Sequence, residues 1–189
     1  MKREDFDPGP LADVKAEPSG QKQTLVFVRE LRHPPAKVFD ALIDPAQLCQ
    51  WAPFTPDRSL DTTGPMVLKV TDEGKTEEFR AVVKRADRPS LLEYTWGEDL
   101  LVWLLEPNAQ GGTRLTLRHT VDGPDWIPRV SAGWHICLVV AERLLDGHPI
   151  GPIVGRDALN YGWNELHDAY AAALGIGGAG FPKERLPEH

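Results

Sequence analysis

Between Gly64 and Val121 the chain keeps a period of two through five successive runs: "MVLKV", "TEEFRAVVKR", "SLLEYTW", "LLVWLLEP" and "TRLTLRHTV". They are separated only by "DEGK", "ADRP", "GED" and "NAQGG". Connections this short join antiparallel neighbours, because parallel strands need crossovers of about a dozen residues or more. The segment therefore reads as an antiparallel meander with one face to bury. Alternation puts Leu115, Leu117 and His119 on one side of the last strand and Arg114, Thr116 and Arg118 on the other. The same phase groups Leu92, Tyr94 and Trp96, and beside them Leu101, Trp103 and Leu105. "LLVWLLE" is apolar on both sides, so its outer face calls for a cover, either a second copy in a homodimer or the C-terminal segment.

The cover for the inner face follows at once. From near Pro128 to Ser131 until "DGHP", apolar residues recur at helical spacing, and Gly147 is a natural left-handed stop. Trp134, Cys137, Leu138, Ala141, Leu144 and Leu145 share one face, whereas His135, Glu142, Arg143 and Asp146 point elsewhere. At about 100° per residue His135 and Cys137 stand about 200° apart, so they cannot bind one metal ion together. Ahead of the meander, "TLVFVREL" reads as a strand from Thr24, stopped by His33-Pro34-Pro35. Two short helices follow it: "PPAKVFDALID", with Val38, Phe39, Leu42 and Ile43 on one face, then Pro45 to Trp51. A last helix spans 156–174 through Leu159, Trp163, Leu166 and Tyr170. The expected organisation is one domain over 22–175, with a core at 24–147 and an extra helix at 156–174. Pro, Gly and charge make 1–21 and 176–189 flexible tails.

Composition narrows the function. A net charge of −7 opposes nucleic-acid binding and attachment to anionic membranes, and no apolar run approaches the roughly 20 residues of a membrane span. The start lacks an apolar signal-peptide core, so the expected compartment is cytoplasmic, where Cys49 and Cys137 stay thiols. No metal, nucleotide or nucleophile motif is present, and no cofactor is expected.

"VRELRHPPAKVFDALIDPAQLCQWAPF", "RPSLLEYTW", "GGTRLTLRHT" and "AGWHICLVVAERLLDG" resemble the successive signatures of the activator of heat-shock-protein-90 ATPase-like (AHSA) family, in the START-like (SRPBCC, birch-pollen-allergen-like) superfamily. The resemblance spans about Leu25 to Gly147. It implies an α+β helix-grip fold in which a curved antiparallel sheet wraps a long C-terminal helix, with an apolar cavity between them. It also brings a range of functions: carriers of lipids and hormones, cofactor-free aromatic cyclases and dehydratases, and chaperone regulators.

The residues expected at such a cavity are Trp51, Phe54, Phe79, Tyr94, Trp96, Trp103, Leu117, His119, Trp134, Cys137, Leu138 and Ala141. Aromatic walls with an occasional N–H or O–H suit a flat apolar ligand, although the same rings can simply fill a core. His119, inward and near the start of the long helix, is the candidate for holding a ligand's polar group or moving a proton, with Tyr94 the other candidate for catalysis. Asp122 and Asp125 read as turn residues, His135 as packing or surface, and Arg29, Glu30 and Arg80 as edge or solvated charges. The expected function is binding of a small apolar or aromatic molecule. An enzyme using the same cavity, and a protein-interaction module using the outer sheet face, are the alternatives.

Overall fold

The computed structural model describes Arg3, residues 6–177 and residues 180–181. The five runs after Gly64 form β4 (Gly64–Asp72), β5 (Lys75–Asp87), β6 (Leu91–Trp96), β7 (Asp99–Pro107) and β8 (Thr113–Val121). Ahead of them stand β1 (Asp13–Ser19), β2 (Lys22–Leu31), α1 (Pro35–Ile43), α2 (Pro45–Leu48) and β3 (Thr55–Pro56). α3 (Trp126–Leu145) and α4 (Trp163–Leu174) follow, with a 3-10 helix at Gly155–Tyr161 between them. The eight strands make one antiparallel sheet in the order β1-β2-β8-β7-β6-β5-β4-β3. The fold is α+β, a helix grip: the sheet curls round α3, helped by an extra residue, Lys84, where β5 shifts register against β6.

Register fixes what faces α3. Leu25, His119, Leu101, Tyr94 and Val83 lie side by side across five strands, and Phe27, Leu117, Trp103 and Leu92 form the next row. All nine side chains are buried. α3 starts at Trp126, a few residues earlier than periodicity suggested, because Pro128 fits the first turn, where no N–H is needed. α2 stops at Leu48 rather than running on to Trp51.

The expected tail at 1–21 is corrected, since Asp13–Ser19 is a strand. Val14 and Ala16 pack against the core, while Asp13, Lys15 and Glu17 alternate with them at the sheet edge, where charge discourages strand addition. At the other end, Gly180 and Phe181 belong to the described residues and are docked. The Gly180 carbonyl accepts from Arg129 Nε–H at 2.9 Å, and Phe181 meets Trp163 edge to face at 4.9 Å. Residues 1, 2, 4, 5, 178, 179 and 182–189 of the expected tails lie outside the described residues.

The helix expected over 156–174 is also corrected. Gly162, at φ 87°, breaks it into the 3-10 helix and α4. α4 packs on α3 and touches β1, so it does not cover the outer face of β7, where Leu100, Val102 and Leu104 remain half-buried.

His135 is fully buried, contrary to the surface position open to it in the sequence. It ties α3 to the N-terminal arm and α4. Its Nε2–H donates to the Pro8 carbonyl at 2.7 Å, which leaves Nδ1 to accept Tyr170 O–H at 2.6 Å. The Tyr170 oxygen accepts the Ala12 N–H at 2.9 Å. Burial pushes the imidazole below its ordinary 6.5.

Two outcomes follow from this arm. Removing residues 1–19 strips partners from buried His135 and Tyr170 and opens the β2 edge. The loss in urea unfolding should be at least about 2 kcal/mol at 1–3 kcal/mol for each stranded group, and an unchanged midpoint would contradict the docked arm. His135 contributes stability that is intact above its unfolded value of 6.5 and lost as pH falls below it, because the unfolded chain takes up the proton first. Unfolding free energy should therefore drop from pH 7 to pH 5, and His135→Gln should flatten part of that slope.

Candidate functional site

The rings expected beneath α3 are brought together as one connected wall. Trp51 meets Trp103 edge to face at 6.3 Å, and Trp103 meets Trp134 at 5.3 Å. Trp134 meets Trp96 at 6.5 Å, and Phe54 touches both Trp96 at 5.1 Å and Tyr94 at 6.0 Å. Phe79 joins at the margin through Trp96 at 6.4 Å. Edge-to-face pairs at these separations contribute about 0.5–1.5 kcal/mol each beyond their burial. Leu117, Cys137, Leu138 and Ala141 complete the packing, all buried.

These buried side chains fill much of the space beneath α3, where the sequence left an open cavity and a filled core both possible. A void between α1, β8 and the C-terminal half of α3, bounded by Trp51, Leu115, Leu138 and Ala141 among others, measures about 10 Å3. That is the threshold for a single water molecule. That void is far smaller than the roughly 300 Å3 or more that a drug-sized ligand needs.

Inside this apolar wall sits one polar cluster. His119, 2% exposed, lies stacked on Trp96 with ring planes 17° apart. Trp134 Nε1–H can only donate, so the 2.9 Å contact makes His119 Nδ1 an acceptor and leaves the ring proton on Nε2. Nε2 points at the Asp99 carboxylate, 3.1 Å away. Asp99 is 30% exposed and opens β7 directly after the Gly97-Glu98 turn, so the cluster runs from the core to the surface. Lys22, Asp122 and the Glu98 carbonyl stand at the same rim. Lys22 Nζ lies 3.0 Å from Asp122 and 2.9 Å from Glu98 O. The Lys22 ammonium is held above its ordinary value by its hydrogen bond to Asp122, with Asp99 and Glu98 adding to the effect.

Asp99 is the site residue that the sequence reading missed. The signal was present: Asp99, Leu101 and Trp103 alternate onto the same face. Of the other candidates, Tyr94 accepts Trp103 Nε1–H at 3.1 Å, and burial pushes its phenol far above its ordinary value, which argues against it as a proton-transfer group. Burial likewise pushes the Cys137 thiol up to about 12, so it packs as an apolar side chain. Arg29 is paired with Glu142, its Nε–H donating at 2.8 Å.

Comparison with known proteins places this geometry. A profile of the Activator of Hsp90 ATPase homolog 1-like protein family matches residues 32–145, more than half of the chain. The structure is similar to that of CalU16 from Micromonospora echinospora at TM-score 0.61 and 17% identity, covering 85% of this chain and 95% of that one. It is also similar to a conserved protein of unknown function from Enterococcus faecalis, at TM-score 0.63 and 13% identity over 85% and 89% of the two chains. A Mesorhizobium loti protein aligns at TM-score 0.56 and 22% identity, over 67% of this chain and 99% of its own. No curated protein matches the chain in sequence. The shared architecture is the START-like helix grip. No helix among the described residues is long and apolar enough to cross a membrane.

Replacing His119 by Ala strands the Trp134 N–H in the core. Unfolding free energy should fall by about 1–3 kcal/mol from that group alone, with a further loss for the space created. An indifferent variant would show that the Trp134–His119–Asp99 chain contributes nothing to the fold.

Proposed function

The chain belongs to the Activator of Hsp90 ATPase homolog 1-like protein family, and on that premise we propose that it binds a small, flat, apolar or aromatic molecule against the ring wall beneath α3. The observation that carries this reading is the buried His119 inside an otherwise apolar wall, linked to half-exposed Asp99. Burying a polar group costs free energy unless it is paired, and packing alone would be served by another apolar residue. The half-buried Trp96 and Phe79 beside it form the accessible edge of the wall. With both ring nitrogens of His119 engaged, the part-exposed Asp99 carboxylate is the group of the cluster left to hold a ligand's polar atom.

The rim also bears on ligand charge. Asp99, Glu98 and Asp122 outweigh Lys22 at this rim, so an anionic ligand would be repelled and a neutral or basic one accepted. One observation favours a second reading, an interaction module for a protein partner or a second copy. The core is closely filled, and Val82, 43% exposed, lies on the same sheet as the half-buried Leu100, Val102 and Leu104.

Titration with N-phenylnaphthylamine, which is neutral, and anilinonaphthalene sulfonate, which is anionic, separates these readings. A ligand burying about 250 Å2 gains on the order of 6 kcal/mol before association costs, which makes micromolar binding the expectation. The neutral probe should quench tryptophan emission, and Asp99→Asn should narrow its advantage over the anionic probe. Absence of quenching by either, together with a dimer in sedimentation, would replace the ligand reading by the interaction one.

A further inference from the structure

β7 is apolar on both faces, and α3 takes only one of them. Leu101, Trp103 and Leu105 point into the core, while Leu100, Val102 and Leu104 form a half-buried row on the opposite side. Register supplies the neighbours of that row. Leu104 lies between Thr116 of β8 and Leu91 of β6, Val102 between Arg118 and Glu93, and Leu100 between Thr120 and Thr95. All nine residues are half-buried. β7 is also the fourth of the eight strands, so where the sheet curls round α3 these three strands form the crest of its convex outer face.

Charge is distributed on this crest with a symmetry of its own. Arg118 and Glu93 flank Val102 in one row, each one strand away from it and opposite in sign. Arg118 donates from Nη2 to Glu17 Oε2 at 2.8 Å, and a guanidinium carries five donors, so it can take a second carboxylate. Glu93 makes no hydrogen bond or ion pair among the described residues. Its cross-strand neighbour on β5, Arg85, pairs with Asp87 instead. The crest thus offers a spare donor on one side of the apolar row and a spare acceptor on the other.

We infer that this crest is a homodimer interface, on which a second copy stacks face to face about a two-fold axis running along β7. Such an axis lays β7 on the partner's β7 and β8 on the partner's β6. Leu100, Val102 and Leu104 then meet their own counterparts, while Arg118 of each copy stands over the partner's Glu93. A two-fold axis across the strands would instead set arginine over arginine and glutamate over glutamate, so charge selects the first orientation. Sheets stacked in this way lie about 10 Å apart with their strands within about 30° of each other, close enough for Arg118 to reach across. Glu106, next along β7, lies beside Arg114 in each copy, which offsets the meeting of the two carboxylates. The inference narrows the interaction reading above to a second copy and does not depend on the ligand reading. Convexity confines the contact to the crest, so the buried area falls at the low end for protein interfaces and the dimer should dissociate on dilution.

Sedimentation velocity over a dilution series tests the interface. The parent chain should pass from monomer to dimer as concentration rises, and Val102→Lys, at the centre of the crest, should keep it monomeric. Glu93→Arg sets arginine against the partner's Arg118, and Arg118→Glu sets glutamate against the partner's Glu93, so each variant alone should dimerise at least tenfold more weakly. An equimolar mixture of the two restores opposite charges at both contacts and should recover the dimer, which also shows that neither variant failed to fold. The double variant Glu93→Arg/Arg118→Glu should dimerise as the parent does. A parent that stays monomeric at every concentration overturns the dimer and leaves only a different protein as partner for this face. A dimer unmoved by both charge reversals overturns this interface while leaving self-association through another face.

Discussion

Everything in this molecule is arranged around the need to cover α3 on all sides. A helix with apolar residues on one stripe can lie on a sheet with its other face in water, but Ile127, Ala132, Ile136, Val139 and Val140 are buried along with Trp134, Cys137 and Leu138. Such a helix belongs inside a protein. The curled sheet covers one face, and α4 with the N-terminal arm covers the other. His135 is the join between the two, since its ring nitrogens reach the arm on one side and α4 on the other. Without α4 and the arm, α3 would expose a hydrophobic flank that the sheet cannot reach.

The space beneath α3 follows from the same packing. Seven rings and a histidine converge there because the sheet turns its inner rows toward the helix, and the rings pack through edge-to-face contacts. The polar chain Trp134–His119–Asp99 then carries hydrogen-bonding character from the deep core to the rim at β7. Its members come from β7, β8 and α3, so it also registers the helix against the sheet.

How much of this was legible in the sequence depends on where each element's order comes from. The meander and α3 carry their own periodicity, and the inward phase of His119 and Trp103 followed from alternation alone. The strand at Asp13–Ser19 was legible too, since Ala12, Val14 and Ala16 alternate with Asp13, Lys15 and Glu17; the surrounding Pro, Gly and charge masked it. Asp99 required the β7–β8 register to be recognised as a partner of His119. How completely the rings fill the space beneath α3 was not legible, because it depends on how far β5 bends at Lys84 and how tightly neighbouring rings interlock. The segment at Gly151–Gly162 has no strong pattern of its own, and its order is borrowed from β4, α3 and the N-terminal arm.

The bond between Ala12 and Tyr170 spans 158 positions of sequence, and it sets a timetable for synthesis. A chain extended at about 5–20 residues per second makes Tyr170 roughly 8–30 seconds after Ala12, far longer than strands and helices need to form. Through that interval β2 through β8 and α3 can pair and collapse, while the outer flank of α3 waits in water for a cover not yet made. The exposed intermediate is built into the order of the elements, and a nascent chain of this design relies on chaperones or on speed to bring α4 home before that flank finds another chain.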